Sequence, residues 1–598
     1  MRYHIERLQP PHAGFHPQWR QPWQLLGLRC GPLPASVDWP QLDAWLAACF
    51  ALPGCESAVA PGSDASQQAA AWGERLLRLG AQLLRFARVP VFGNGELQQL
   101  TPLADGWQLA LRVPWVPGVA DEYFLRCYQA AAIVLGGYAA NPGHFADQQT
   151  LQRQLEASVV GPICRAMATD DGSFALLQAA HQAGVPWQWL GDGAYRLGWG
   201  ARRGHLQQGG VDGEAMSGIQ VSGHKAVSRR WLQQAGLPVP AQQLVRTQAE
   251  AEAAWQALGG CVAIKPASCE GDGVSLNVAS AEAVHAAFAR AVALSPEVVL
   301  EPMLPGDCHH VQIVAGRAMF VIRRQGAALL ADGEHDIAHC LARENARRAS
   351  EVLWQQLPPL PADAEAAACL AEQGWHWHSV PPAGCVLYLR RLADNRHGAF
   401  EQDVTADAHP HNLLLAEQAA SRLGLRQAGV DILSPDIRQP WHANGAVLLE
   451  VNHAPQLGTG MLYRRHLPAM VQALWPQQGR IALEVFVGDA PLPALRQRQA
   501  ELAAQGVAAF VCTADGASSP AGEPWPQTCS ESFQRVQALL AEAVPQALLL
   551  GLSDAAWLQQ GVPVDRIDRL HALQPDAPEW QPLLQLLRQY LPAGEPAA

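Results

Sequence analysis

The sequence predicts a multidomain α/β protein, and three observations carry that expectation. Its 598 residues exceed what one hydrophobic core organises, which implies three or four domains. From about residue 160 to about 475, strand-like and helix-like runs alternate, separated by glycine-bearing turns. A second alternation begins at the apolar run Ile481–Val487.

Each stretch has its own local logic. Before residue 160, Ala69–Ala87 spaces its apolar residues as an amphipathic helix does. Gln108–Val113 alternates like a strand and is stopped by Pro114 and Pro117. Asp147–Val159 is expected to be a helical connection, and Leu474–Gly479 a linker. After it come a strand over 481–487, a helix over 492–505, a loop over 514–527 and a frayed tail over 592–598. The expected division is therefore 1–160, 161–477 and 478–598.

Composition narrows the function classes. A hydrophobic content of 49% with 16% charged residues fits a globular enzyme. The formal charge of −12 argues against a nucleic-acid partner, because neutralising phosphates requires a basic face. The pairs Arg202-Arg203 and Arg229-Arg230 are taken as solvated faces. Thirteen cysteines show no C-x-x-C spacing, which favours reduced, mostly buried thiols. The first residues carry no apolar signal core, and no apolar run reaches the roughly 18 residues of a membrane span. A cytoplasmic protein without a membrane partner is expected.

The residues that could carry chemistry come in a fixed order. Lys225 heads a helix that ends at Gly236, with Pro238 and Pro240 beyond it. A cation at a helix start is disfavoured without an anionic partner, although a solvated lysine is the ordinary reading of Lys225 alone. The strand Val262–Ile264 delivers Lys265 into a loop with Gly271 and Gly273, whose backbone N–H groups can approach phosphate oxygens. A strand ending in Glu301 and Met303 can present a carboxylate and backbone groups to a planar ligand such as adenine and its ribose. A hairpin turning at Ala315-Gly316 has a second strand ending in Arg323 and Arg324. Asp431 lies in one strand, and Glu450 and Asn452 lie two apart on one face of another. Oxygen ligands so placed suit Mg²⁺ bridged to phosphates.

That ordered set resembles the ATP-grasp enzymes and, within them, the cyanophycin synthetases. The family's motifs are matched at Leu197–Gly200, Lys225–Pro240, Lys265–Gly273 and Ala331–Gly333. Further matches lie at Gln373–Pro382, Val430-Asp431 and Glu450–Pro455. The resemblance implies an ATP-dependent carboxylate–amine (peptide) ligase, with ATP and Mg²⁺ as cofactors and a carboxylate activated as an acyl-phosphate. Lys225, Lys265, Gly271 and Gly273 would then hold phosphates, Glu301 and Met303 the nucleoside side, and Asp431, Glu450 and Asn452 the metal. Arg390 matches a family arginine and takes the acyl-phosphate-stabilising role, with Arg324 the weaker candidate. The implied fold is an ATP-grasp core flanked by an N-terminal α/β domain and a Mur-ligase-like α/β domain.

The sequence also departs from that family. The second ligase part of a full-length synthetase opens with a P-loop, whereas here the strand runs into Val487–Ala494, where Pro491 and Pro493 lack N–H donors. Residues 478–598 are therefore expected to be a degenerate, non-catalytic remnant. The layout resembles a truncated type of synthetase that polymerises β-aspartyl-arginine dipeptides. The loop Asp394–Ala399 and His310, which stands for a family arginine, alter the acceptor side. His309, His310, His376 and His378 are taken as structural. The expected partners are an amino acid or dipeptide and a growing polymer, with homo-oligomers implied by the resemblance. The alternatives are a ligase for another amino acid, or a non-catalytic subunit assembling with a full-length synthetase.

Overall fold

The computed structural model describes residues 3–31, 37–52, 64–268, 273–393, 398–454 and 460–592. Gly271, residues 394–397 of the altered loop and the tail from 593 lie outside them. The protein is α/β throughout, as the alternation predicts. Among the described residues no helix is long and apolar enough to cross a membrane.

The chain forms two units: residues 1–208 together with 467–598, and residues 209–466. The first unit opens with an antiparallel sheet in the order His4–Arg7, Gln21–Cys30, Gly106–Pro114, Glu96–Leu103. Leu26, Leu28, Leu109 and Leu111 recur every second residue and are fully buried on its inner face. The expected amphipathic helix spans Ala65–Phe86 and buries Trp72, Leu76, Leu79 and Leu83, a spacing of three and four. Each such side chain stabilises the unit by about 1.5–3 kcal/mol. Residues 148–167 run as one continuous helical stretch with a π-turn at Glu156–Val160, so the division expected at 160 falls inside a helix.

Residues 467–598 contribute a mostly parallel sheet in the order Ala517–Ser518, Ala509–Cys512, Ala547–Leu552, Ala482–Val487, Arg569–Ala572. All six residues of Ala547–Leu552 are buried, as a strand covered on both faces requires. This sheet joins the N-terminal part through specific bonds. Phe15 N–H donates to Val562 O at 2.9 Å, and the Tyr590 hydroxyl donates to Phe15 O at 2.6 Å. A Cβ on Gly14 would lie 2.6 Å from Gly561 Cα, so the two backbones meet only because both residues are glycine. The stretch expected as a linker is packed: Trp475 is buried, and Gly479 O accepts from Trp199 N–H at 2.8 Å. Next to it, buried Arg480 lies 4.6 Å over the Trp199 ring and pairs bidentately with Asp565 at 3.0 and 2.5 Å.

A second buried carboxylate in this unit makes a pH prediction. Glu484 accepts from His571 at 3.0 Å and from Arg498 at 2.9–3.2 Å. Burial alone would raise its pKa, but those two cations bring it from 4.5 down to about 2. A depressed folded-state value stabilises above the unfolded value and is lost as pH falls through the folded one. The first unit is therefore expected to lose stability as pH drops from about 4.5 towards 2. In acid-melting experiments Glu484→Gln should lower the neutral-pH melting temperature and flatten that limb; an unchanged limb would refute the assignment.

The second unit holds two antiparallel sheets. The smaller runs Gln243–Val245, Val298–Pro302, Val262–Pro266, Ser275–Val278, with helices Gln248–Ala257 and Ala281–Val292 sharing its core. The larger runs Val386–Tyr388, Arg317–Leu330, Asp307–Val314, Ala428–Ser434, Val447–His453, with Ala399–Asp403 also paired to Arg317–Leu330. The hairpin turns at Ala315-Gly316 as expected, and both residues have positive φ, +51° and +80°. Helices Lys225–Gln234 and Pro410–Arg422 pack Leu232, Leu415 and Ala419 against Val311, Val430 and Ile432.

Candidate active site

The larger sheet sets the register of the site. Asp431 stands opposite His310 on one neighbouring strand and opposite Glu450 on the other, with a bulge just after it. Directly opposed residues share a face, so His310, Asp431 and Glu450 form a row. Asn452, two residues on, shares that face and donates its Nδ2 to Glu450 Oε1 at 3.0 Å. Cys308 and the Arg324 opposite it extend the face one step along.

The two lysines expected to hold phosphates each reach a carboxylate. Lys225 leads its helix, capped by the His224 side chain, and its Nζ lies 3.1 Å from Glu450 Oε2. Lys265 lies in the strand Val262–Pro266, and its Nζ donates to Glu301 Oε2 at 2.9 Å. Glu301 Oε1 accepts from Arg229 Nη1 at 2.5 Å, and Arg229 Nη2 donates to Leu449 O at 3.1 Å. One guanidinium thus ties Glu301, the carboxylate that Lys265 meets, to the residue preceding Glu450. Glu301 is only 3% exposed; burial would raise its pKa, but Lys265 and Arg229 hold it below the usual carboxylate range. Each of its oxygens accepts from a cation, Oε1 from Arg229 and Oε2 from Lys265.

Arg229 corrects the surface reading of the Arg229-Arg230 pair: it is buried, while Arg230 is exposed. The signal that could have found it is its place four residues after Lys225, on the same helical face.

Asp431 is buried and accepts from His310 Nδ1 at 2.7 Å. Burial pushes its pKa up, but His310 and Arg324 outweigh that and keep the carboxylate ionised. His310, read from the sequence as a departure from the family and as a structural histidine, thus bonds an expected metal ligand. The Cys308 thiol, which the sequence reading passed over, is pushed well above its usual value by burial and then by Asp431. Arg324 donates to the Tyr463 hydroxyl at 3.2 Å, and its Nε lies 3.3 Å from Glu401.

Not every expected residue joins this set. Arg390 is clamped by Asp363 at 2.9 and 2.6 Å, with Glu365 at 3.6 Å, and its charge is spent there. Met303 is tied through its backbone N–H to Cys261 O at 3.1 Å. Gly273 has φ +71°, the conformation a phosphate-approaching loop uses, while Gly271 lies outside the described residues. His376 and His378 stay on the surface, with His378 3.4 Å from Asp336.

The donor set fits Mg²⁺. Asp431, Glu450 and Asn452 offer oxygens, and among the described residues no group of three or more His, Cys, Asp or Glu forms a metal cage. Mg²⁺ is ordinarily held in this way, by one or two carboxylates completed by substrate phosphates.

No protein-family model matches the chain. Curated relatives do: a cyanophycin synthetase from Trichormus variabilis is 28% identical over 325 residues, covering 52% of this chain and 36% of that one. One from Synechocystis sp. is 28% identical over 398 residues, covering 63% and 44%. The chain is similar to cyanophycin synthetases. The resemblance drawn from the motifs is therefore borne out, although the chain spans less than half the length of these relatives. A bifunctional glutathione biosynthesis protein from Mannheimia succiniciproducens is 29% identical over 246 residues, covering 39% of this chain and 32% of that one.

Proposed function

We propose that residues 209–466 form an ATP-grasp ligase that joins a carboxylate to an amine through an acyl-phosphate. The observation that carries this reading is the pairing of two lysines with acids, Lys225 with Glu450 on the larger sheet and Lys265 with Glu301 on the smaller, the two joined through Arg229. Such lysines are held in place before any nucleotide arrives, so phosphate binding costs little reorganisation. Lys225 and Lys265 bind the phosphate oxygens of ATP, and Arg229 through Glu301 keeps Lys265 in position. Mg²⁺, when bound, neutralises charge between phosphates and carboxylate. Asp431, Glu450 and Asn452 would hold it, with His310 keeping Asp431 oriented. Arg324, which acts electrostatically on Asp431, is better placed than Arg390 to meet the charge developing on the activated carboxylate.

The substrate we propose is a cyanophycin-like polymer, extended from β-aspartyl-arginine dipeptides. The similarity to cyanophycin synthetases supports this, as does the C-terminal sheet, where Asp489 N–H is taken by Gln574 Oε1 at 3.1 Å. A Cβ on Gly488 would lie 2.5 Å from Gln574 Oε1, so this side chain occupies the turn where a phosphate cradle would open.

The test is phosphate release by the purified protein with Mg-ATP, supplied with β-aspartyl-arginine, aspartate or arginine, each with and without cyanophycin primer. Dipeptide-dependent release is expected. Release with another amino acid alone would change the substrate, and none with any acceptor would favour a non-catalytic assembly role.

A further inference from the structure

The first unit contains a cavity of ≈ 150 Å³ among whose walls are Trp115, Trp187, Trp189, Trp199, Arg20 and Arg196. An apolar cavity of about this volume admits one benzene-sized body. None of the described residues lining it is acidic, yet two guanidinium groups do. Arg196 has five N–H donors and, among the described residues, one acceptor, Gln188 Oε1 at 2.5 Å. Burial, with Arg203 nearby, pushes Arg196 down to about 10, the direction expected of a cation lacking its anion. Arg20 donates to His181 O, and the acid acting on it, Asp565, is already held bidentately by Arg480.

The tryptophans are also unequally satisfied. Trp115 Nε1 donates to Asp121 at 3.2 Å and Trp187 Nε1 to His181 Nδ1 at 3.1 Å. Trp189 Nε1 is buried and has no acceptor among the described residues. Leaving a buried donor without a partner is costly, and leaving a guanidinium incompletely paired more so. Apolar walls, spare N–H donors and no acid define an acceptor of one negative charge carried on a compact apolar body.

We propose that this cavity binds a small monocarboxylate, its apolar body among the tryptophans and its carboxylate on Arg196 and Arg20. The same chemistry is presented by a free carboxylic acid and by the C-terminal carboxylate of a peptide ending in an apolar residue. Phosphate is a poorer match, because its second charge would have to be stripped of water against indole walls.

The experiment is isothermal titration of the full chain with phenylacetate and with N-acetyl-L-phenylalanine, each against its neutral amide. Saturable binding of an acid is expected at one site per chain, with the amide at least tenfold weaker. The free acid binding tighter would assign a metabolite site, and the N-acetyl amino acid binding tighter a peptide-end site. Arg196→Gln should weaken the acid at least tenfold without moving the melting temperature, and Trp189→Phe should weaken it severalfold. Equal affinity for acid and amide, or no saturable binding of either acid at millimolar concentration, would overturn the proposal. If Arg196→Gln fails to fold, the acid–amide comparison in the unaltered protein decides the matter.

Discussion

Glu450→Ala is expected to lower ATP-dependent turnover by at least about 10²–10³-fold, the range seen when one preorganised charge-stabilising group is removed. Glu450 meets Lys225 and Asn452 together, so its loss disturbs at once the lysine proposed to bind phosphate and a proposed metal ligand. The variant should still fold, because Glu450 is half-buried and Lys225 can turn to solvent. Calorimetry should place its melting transition within about 1 kcal/mol of the unaltered protein. Turnover within tenfold of normal would remove Glu450 from the site and the ligase reading with it.

The largest effect on stability is expected from Glu301→Ala. The substitution leaves buried Arg229 and partly buried Lys265 facing each other without their common anion. Removing one partner of a buried pair costs about 3–5 kcal/mol, which in a unit of this size lowers its melting temperature by about 10 °C. Arg229→Met should cost less, since Lys265 still pairs with Glu301 and the thioether fills the vacated space. Equal melting temperatures for the two variants would mean that the pair contributes shape rather than charge balance.

Much of this site was legible before any coordinates. Lys225 and Lys265 stood at a helix start and a strand end, positions that periodicity and the flanking prolines mark. Glu450 and Asn452 were assigned to one face by the two-residue repeat of a strand, and the bond between them follows from that repeat. Arg229 was misjudged because a chain of charged letters does not reveal which of two adjacent arginines turns inward. Two of its partners, Glu301 and Leu449, lie 72 and 220 residues away, beyond the reach of any local pattern. Arg390 was chosen by resemblance alone, and the acids that occupy it, Asp363 and Glu365, sit outside every motif considered. The fold class followed from alternation, but the grouping of the first 208 residues with those after 466 did not, because it rests on bonds such as Phe15 to Val562.

That grouping has a consequence for the order in which the protein acquires its structure. A ribosome delivers residues 209–466 before it delivers the strands that the opening sheet's unit needs for completion. The central unit can therefore close on itself while its host is still half made, with Phe15 and Trp199 waiting for Val562 and Gly479 to emerge. A stalled or prematurely ended chain would carry a finished central unit joined to an unfinished one, which is the kind of product that cellular proteases remove first.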